Sequence, residues 1–460
     1  MNKYAVIAAN RFGLGARPGE LDAIAGEPKA WLLAQIGAAA KGTAGTPRTP
    51  EVFEEIRALR AARDRSGANE AAPDIVKAYG RTVRAHYVEQ AGARYRQAAS
   101  TETPFAERLV HFWANHFAVS VDKQPLPAIA GLYENEAIRP HVGGSFTELL
   151  LAAERHPAML LYLDNQRSVG PNSELGKRAN RRQSRRSIGL NENLAREILE
   201  LHTLGVDGGY TQDDVTEFAH VITGWSIGGA GERGRFADGT PGEFEFREAI
   251  HEPGAKSVLG KRYGEDGVEQ GEQVLRDLAA HPSTARHLAL KLVRHFVADD
   301  PPASLVDKLT AVYLANDTQL APVYAALIAA TEPWTVPHGK YKTPHDFVIS
   351  AFRAFDHVPD RPQFTVNALD LLGQTPWRPG SPAGWSDRTQ DWDGADALYK
   401  RIEWSNAVAR IAGNRVDPLE LGDLALGCAF SDRSRKAIAR AESRLQGTTL
   451  LLASPDFQRR

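Results

Sequence analysis

The sequence predicts a mainly α-helical protein, a large multi-helix domain with a small β-hairpin excursion near residues 230–262. Three observations carry that prediction. Helix starts recur: Ser145 precedes Glu148 by three, Thr211 precedes Asp214 by three, and Thr343 is followed by Pro344 and Asp346. In each, a hydroxyl oxygen can accept from early helical N–H groups, and an acid stands where the helix dipole favours it. Stops are equally legible, because Gly205, Gly224 and Gly373 each close an apolar-periodic run where a left-handed residue is needed. Only one stretch alternates like a strand: in GEFEFREAIHEPGAKSVLG, Phe244 and Phe246 alternate with Glu245 and Arg247 ahead of a Pro-Gly turn.

In chain order, apolar periodicity predicts helices over 105–118, 191–204, 284–297, 304–315, 344–356, 362–372, 395–412 and 434–453. Residues 227–243, rich in glycine and charge, and 376–394, with Trp377, Trp385 and Trp392 among prolines and glycines, read as insertions. Loops of that length inside a compact domain are uncommon and often functional. The chain is expected to form one domain over 1–460, with sub-parts 1–226, 227–262 and 263–460.

Composition removes several classes of function. A formal net charge of −2 gives no global attraction for nucleic acid or an anionic membrane, and no specific nucleic-acid motif is present. The single cysteine, Cys428, supports neither an internal disulfide nor a cysteine-based metal site. No run approaches the roughly 20 apolar residues that cross a bilayer, so no integral membrane segment is expected. The opening MNKYAVIAANRFGLG has an apolar run shorter than a signal-peptide core, which predicts a cytoplasmic protein. There is no GxSxG elbow, no P-loop and no Rossmann fingerprint, and no motif names a cofactor.

The most concentrated chemistry lies in NENLAREILELHTLGVDGGYTQDDV, residues 191–215. On an α-helix of about 100° per residue, Leu194, Ile198 and Leu201 share one arc while Asn193, Glu197 and Glu200 share another. Two acids on one face suit general acid/base work if burial or mutual repulsion separates their pKa values. They equally suit a wet surface on which Arg196 and Glu200 form an i,i+4 pair. Spacing puts His202 on the far side from Glu200. Asp164 and Asn165 end the apolar run PAMLLYLDN, from which Asp164 could approach Glu197 and Glu200 or simply make a turn.

Other candidates each have a plain structural reading beside the functional one. His111 and Asn115 share a helical face at i,i+4, whereas His116 diverges, so HFWANHF lacks the spacing of a zinc pair, and no metal ligands are assigned. Within SELGKRANRRQSRRS, the cations Arg181, Arg182, Arg185 and Arg186 form a candidate patch for an anionic polymer, or a solvated loop. Trp385 could stack on a sugar face or anchor its loop in the core.

The 191–215 stretch resembles the signature of the bacterial "domain of unknown function 1800" family. The match runs through Asn191-Glu192-Asn193, Ala195-Arg196-Glu197, Glu200-Leu201, Thr203-Leu204-Gly205, Tyr210-Thr211, Asp214-Val215 and Thr223-Gly224-Trp225. RFGLGARPGEL, HFWANHFAVS, PAMLLYLDN, HEPGAKSVLG, KTPHDFVIS and the terminal SPDFQRR also look familial, so the resemblance covers essentially the whole chain. It implies no secure activity. Members are often exported, and are commonly encoded beside a sulfatase-like family, "domain of unknown function 1501", which implies a shared pathway and a periplasmic or exported location as the alternative to a cytoplasmic one.

These observations lead to an expected hydrolase- or lyase-like enzyme acting on a glycan or other anionic polymer. Glu197, Glu200 and Asp164 are its acid/base candidates. Asn191, Asn193, Arg196, His111, Asn115, Trp225 and Trp385 are its binding candidates. The alternatives are a non-catalytic partner of the sulfatase-like protein, and a metalloenzyme drawing on His111, His116, His202 and the acids.

Overall fold

A computed structural model describes residues 2–36, 38, 46–66, 72–181, 189–229, 238–335 and 339–460. The protein is mainly α, and the strands named among these residues form two small antiparallel pairs. Three helices that matter below begin with proline in the first turn: Pro104–His116, Pro282–Phe296 and Pro344–Ala354. Proline there gives up an N–H that has no intrahelical partner and presets φ. Thr343 and His281 accept from Asp346 N and Ser283 N, and Thr211 and Asp214 form a reciprocal capping box.

Two hydrophobic cores share the long helix Ala72–Ser100. Its Val83, Tyr87 and Ala91 belong to a large core of the N-terminal and middle helices. Tyr95, Ala98 and Ala99 belong to a second core with Phe347, Phe352, Trp404, Leu451 and Phe457. At the seam, Pro104–His116 faces Pro344–Ala354, every residue of which is buried except His345, which is partly so. A helix so enclosed must supply partners for its charges, and the N-terminal RFGLG segment provides them. Arg108 Nε donates to Gly13 O at 2.6 Å and Arg353 Nε to Gly15 O at 2.6 Å. Gly15 has φ of +105°, and a Cβ there would lie 2.7 Å from Ser350 Cβ. RFGLG is thus a packed backbone seam rather than a phosphate cradle.

Arg353 also donates to Ala98 O, Ala99 O and Thr101 O, and pairs with Glu20 at 3.0 Å. Arg353→Ala leaves these acceptors without donors in the interior. It is expected to destabilise the protein by about 3–5 kcal/mol, read as a lower urea midpoint with an unchanged slope.

Three sequence expectations need correction. Phe244–Phe246 pairs with Trp225–Ile227, not with the segment beyond the Pro-Gly turn, and Lys256–Val258 pairs separately with Lys261–Tyr263. The buried Trp225 ring packs edge-on against Phe244 at 5.6 Å, so burial of the tryptophan selects the longer-range partner. The helix expected over 434–453 is two, Asp432–Ala439 and Arg444–Ala453, because Ser443 caps a new start by accepting from Gln446 N. The helix expected over 191–204 is α-helical only over Asn193–Glu197 and π-helical over Ile198–Thr203, with Leu204 N bonded to Leu199 O at 3.0 Å.

No helix among the described residues is long and apolar enough to cross a membrane.

Candidate active site

The seam opens into a cavity of about 70 Å³, room for a few waters or one small polar group. Pro104–His116 contributes Arg108, His111 and Asn115. The start of Pro344–Ala354 contributes His345 and Asp346, the end of Pro282–Phe296 contributes His295, and the 376–394 loop contributes Trp377, Trp385, Ser386 and Asp387.

The loop that reads as an insertion is therefore a wall of this cavity. Asn115 holds its tip from both sides: Nδ2 donates to Trp385 O at 2.8 Å, and Oδ1 accepts from Trp385 N at 2.7 Å. The preceding Gly384 has φ of +79°, and a Cβ there would lie 2.2 Å from Asn115 O, so only glycine passes. Thr389 N donates to Asp299 at 2.9 Å and Trp392 Nε1 to Ser386 O at 2.8 Å.

That fixation delivers Asp387 to His295, with Oδ1 2.7 Å from Nδ1. An ionised carboxylate only accepts, so Nδ1 carries the proton and Nε2 of the neutral ring presents its lone pair. Nε2 is buried and has no partner. Burial holds the His295 pKa below the ordinary value, with the Arg460 and Arg108 charges adding to that and Asp387 opposing it. The Asp387 carboxyl is held well below its usual range: burial would raise it, but the His295 contact and the Lys340 and Arg460 charges outweigh burial.

The cationic wall is anchored by buried pairs. Arg108 Nη1 lies 2.9 Å from Asp346 Oδ1, and Arg460 Nε lies 2.9 Å from Asp346 Oδ2. Arg460 reaches this place because its backbone exchanges hydrogen bonds with Lys340. Deeper, Arg94 Nε meets both Glu134 oxygens at 2.9 and 2.8 Å, and Arg139 forks onto Glu107. Burial alone would raise the Glu107 carboxyl, yet the hydrogen bonds from Arg139 and the nearby His111 ring hold it down at about 2. Lys342 sits behind, its Nζ 3.0 Å from Ser350 Oγ, and burial drops its pKa to about 7.

The structure gathers His111, Asn115 and Trp385 at this cavity. The expected carboxylates lie outside the cavity walls. Asp164, at φ of +60°, pairs with Lys123 at 2.6 Å, and Lys123 donates to Tyr162 O at 3.4 Å. The Tyr162 phenol is pushed up to about 12, first by burial and then by the charges of Glu197 and Asp122. The Glu197 carboxyl is itself raised by burial, with Glu200 adding to the effect and His202 opposing it. Glu200 accepts from Tyr210 at 3.3 Å. Tyr162 and Lys123 thus link the neighbourhoods of Glu197 and Asp164, while the cavity walls hold neither Glu197, Glu200 nor Asp164.

The rest of the signature is engaged in structure. Asn191 Nδ2 donates to Leu163 O at 3.1 Å and its Oδ1 accepts from Asn193 N, while Asn193 is exposed. Arg196 bonds Glu192 and Gln212, both at 3.0 Å. Trp225 is fully buried against Phe244. His202 and Glu154, both wholly buried, lie 2.8 Å apart without a well-aligned hydrogen bond. Of the basic patch, Arg181 is exposed, and Arg182, Arg185 and Arg186 lie outside the described residues. Among the described residues no three His, Cys, Asp or Glu side chains are grouped to hold a metal ion.

Segments as far apart as the N-terminal RFGLG, the helix Pro104–His116, the 342–350 stretch and the final arginine meet in one seam, and a single family model follows all of them but that last residue. It describes a protein of unknown function, DUF1800, and matches residues 7–459. The chain belongs to the DUF1800 family. No curated protein and no solved structure matches it. The DUF1800 match spans both the cavity and the 191–215 signature.

His295 and Asp387 were missed from sequence because they are 92 positions apart and neither stands in a recognisable motif. The available signal was charge in apolar context: Glu107, Arg108 and Asp346 occupy positions that helical periodicity buries. Charged groups are almost never fully buried unless paired.

Proposed function

We propose that this protein is an acid–base enzyme of hydrolase or lyase type, with its reacting centre in the seam cavity. The observation that carries the reading is the Asp387–His295 pair, 2.7 Å apart, with the buried and unpartnered Nε2 of His295 at a cavity wall. A histidine oriented through Nδ1 by a carboxylate is the arrangement that general bases use. In a hydrolysis, Nε2 takes a proton from water as its oxygen attacks. The imidazolium so formed is stabilised by Asp387, then returns that proton to the leaving group. The other wall groups favour this reading. Trp385 Nε1–H is a donor for an oxygen that gains charge, and Arg108 brings positive charge.

Glu197 and Glu200 have no role at the reacting atoms in this reading. A panel of ester, phosphate, sulfate, glycoside and lyase substrates identifies the reaction, and two sets of variants then test the site. Asp387→Asn is expected to lower kcat about 10²–10⁴-fold. Glu197→Gln and Glu200→Gln are expected to stay within threefold of the parent. The reverse pattern would move the chemistry to the signature helix.

A further inference from the structure

The hydrogen-bond inventory of the cavity is lopsided, and its sign indicates what enters. Arg94 uses Nε on Glu134 and Nη1 on Tyr95, and its Nη2 has no hydrogen-bond acceptor among the described residues. Arg108 uses Nε on Gly13 O and Nη1 on Asp346, and its Nη2 likewise has no hydrogen-bond acceptor among the described residues. Trp385 Nε1, which can only donate, is buried without a partner. All three residues line the same cavity. Its two carboxylates are already engaged, Asp346 between Arg108 and Arg460 and Asp387 on His295. Beside the lone pair of His295 Nε2, which the acid–base reading uses, the spare capacity in the walls is of the donor kind, and two of the donors belong to guanidiniums. A buried donor without an acceptor is destabilising, so a ligand oxygen that reaches Trp385 Nε1 relieves a standing penalty.

Resting on the reading of the cavity as the reacting centre, we infer that it recognises a small oxyanion group, a carboxylate, phosphate or sulfate. Such a group is held by Arg94 Nη2, Arg108 Nη2 and Trp385 Nε1 beside His295. The cavity volume of about 70 Å³ admits one such group and not a chain of them. On a larger substrate, the oxyanion is then an end or a pendant group, and the rest of the substrate lies outside. Guanidinium forks and N–H donors suit oxyanions by geometry as well as charge.

The test is isothermal titration of the full chain with inorganic phosphate, sulfate and acetate in a chloride buffer. At least one is expected to bind saturably at one site per chain. The phosphate and sulfate arms against the acetate arm separate a tetrahedral from a planar group. Trp385→Phe, which removes one N–H and keeps an aromatic ring, is expected to weaken that binding about tenfold or more. Arg181→Ala, at an exposed cation outside the cavity walls, is expected to leave it unchanged. The inference is overturned if none of the three anions binds below 10 mM on the scale of about 1 mM ↔ −4.1 kcal/mol, if Trp385→Phe binds as the parent does, or if Arg181→Ala abolishes binding. Should binding fail while Asp387→Asn still removes turnover, the inference falls and the acid–base site stands. Should binding hold while Asp387→Asn is fully active, the acid–base site falls and the anion site stands.

Discussion

Replacing His295 by glutamine is expected to lower kcat about 10²–10⁴-fold while leaving the fold intact. Glutamine keeps a polar group of similar reach for Asp387 but cannot take a proton. The ring sits at the C-terminal end of Pro282–Phe296, where its removal disturbs no ion pair other than the one with Asp387. The pH dependence sharpens this expectation. Burial and the neighbouring arginines hold the His295 pKa below the ordinary histidine value, so the ring is neutral and able to accept a proton at pH 7. The rate is therefore expected to hold through neutrality and to fall on acidification, with an apparent pKa below 6.5. Stopped-flow or steady-state rates between about pH 4 and 8, where histidine and perturbed carboxylates titrate, check it. A rate falling from pH 7 upward, or a His295→Gln enzyme of parental kcat, contradicts the assignment.

The second large effect concerns stability. Glu107 is enclosed between Arg139 and His111, and Glu107→Gln removes the charge that both partners face. Breaking a buried pair from one side costs about 3–5 kcal/mol, because the remaining charge stays in the interior uncompensated. The same carboxylate sets a pH signature. Its folded pKa of about 2 lies below the ordinary carboxyl value of 4.5, so its contribution is fully present above pH 4.5 and is lost as pH falls towards 2. Urea midpoints measured from about pH 6 downward are expected to drop steeply in the parent and less steeply in Glu107→Gln, by the linkage between proton uptake and unfolding. Parallel curves would mean that Glu107 is not held by Arg139 and His111 as described.

Helix starts, stops and the mainly α class were legible in the sequence because they depend on local chemistry: Thr211 with Asp214, proline after Thr343, glycine at 205. The strand partner of Phe244–Phe246 was not, since Trp225 lies nearly twenty positions away across a glycine-rich loop, and local alternation carries no partner information. The π-helical turn at Ile198–Thr203 escaped the α-helical wheel for a related reason, as periodicity assumes the turn it is used to find.

The candidate site was half visible. His111, Asn115 and Trp385 stood out as residue types in unusual company, and all three line the cavity. The Asp387–His295 pair did not, because Asp387 meets His295 only after Asn115 and Gly384 have folded the tryptophan loop back onto the helix. The signature helix drew the eye because its polar residues are adjacent in sequence. Much of that polarity is taken up locally, in Asn191 with Leu163 O, Arg196 with Glu192, and Thr203 with Ile198 O.

The unprotonated, unpartnered Nε2 of His295, in a ring oriented by Asp387, can be measured without a substrate. Long-range ¹H–¹⁵N correlation spectra of histidine-labelled protein, with His295 assigned through His295→Gln, report tautomer and charge directly. At pH 7 the expected spectrum shows a neutral ring protonated on Nδ1, with Nε2 at the shift of a bare nitrogen, and Asp387→Asn disturbs that tautomer. A ring protonated on Nε2 at pH 7, alone or as imidazolium, would remove His295 as the base.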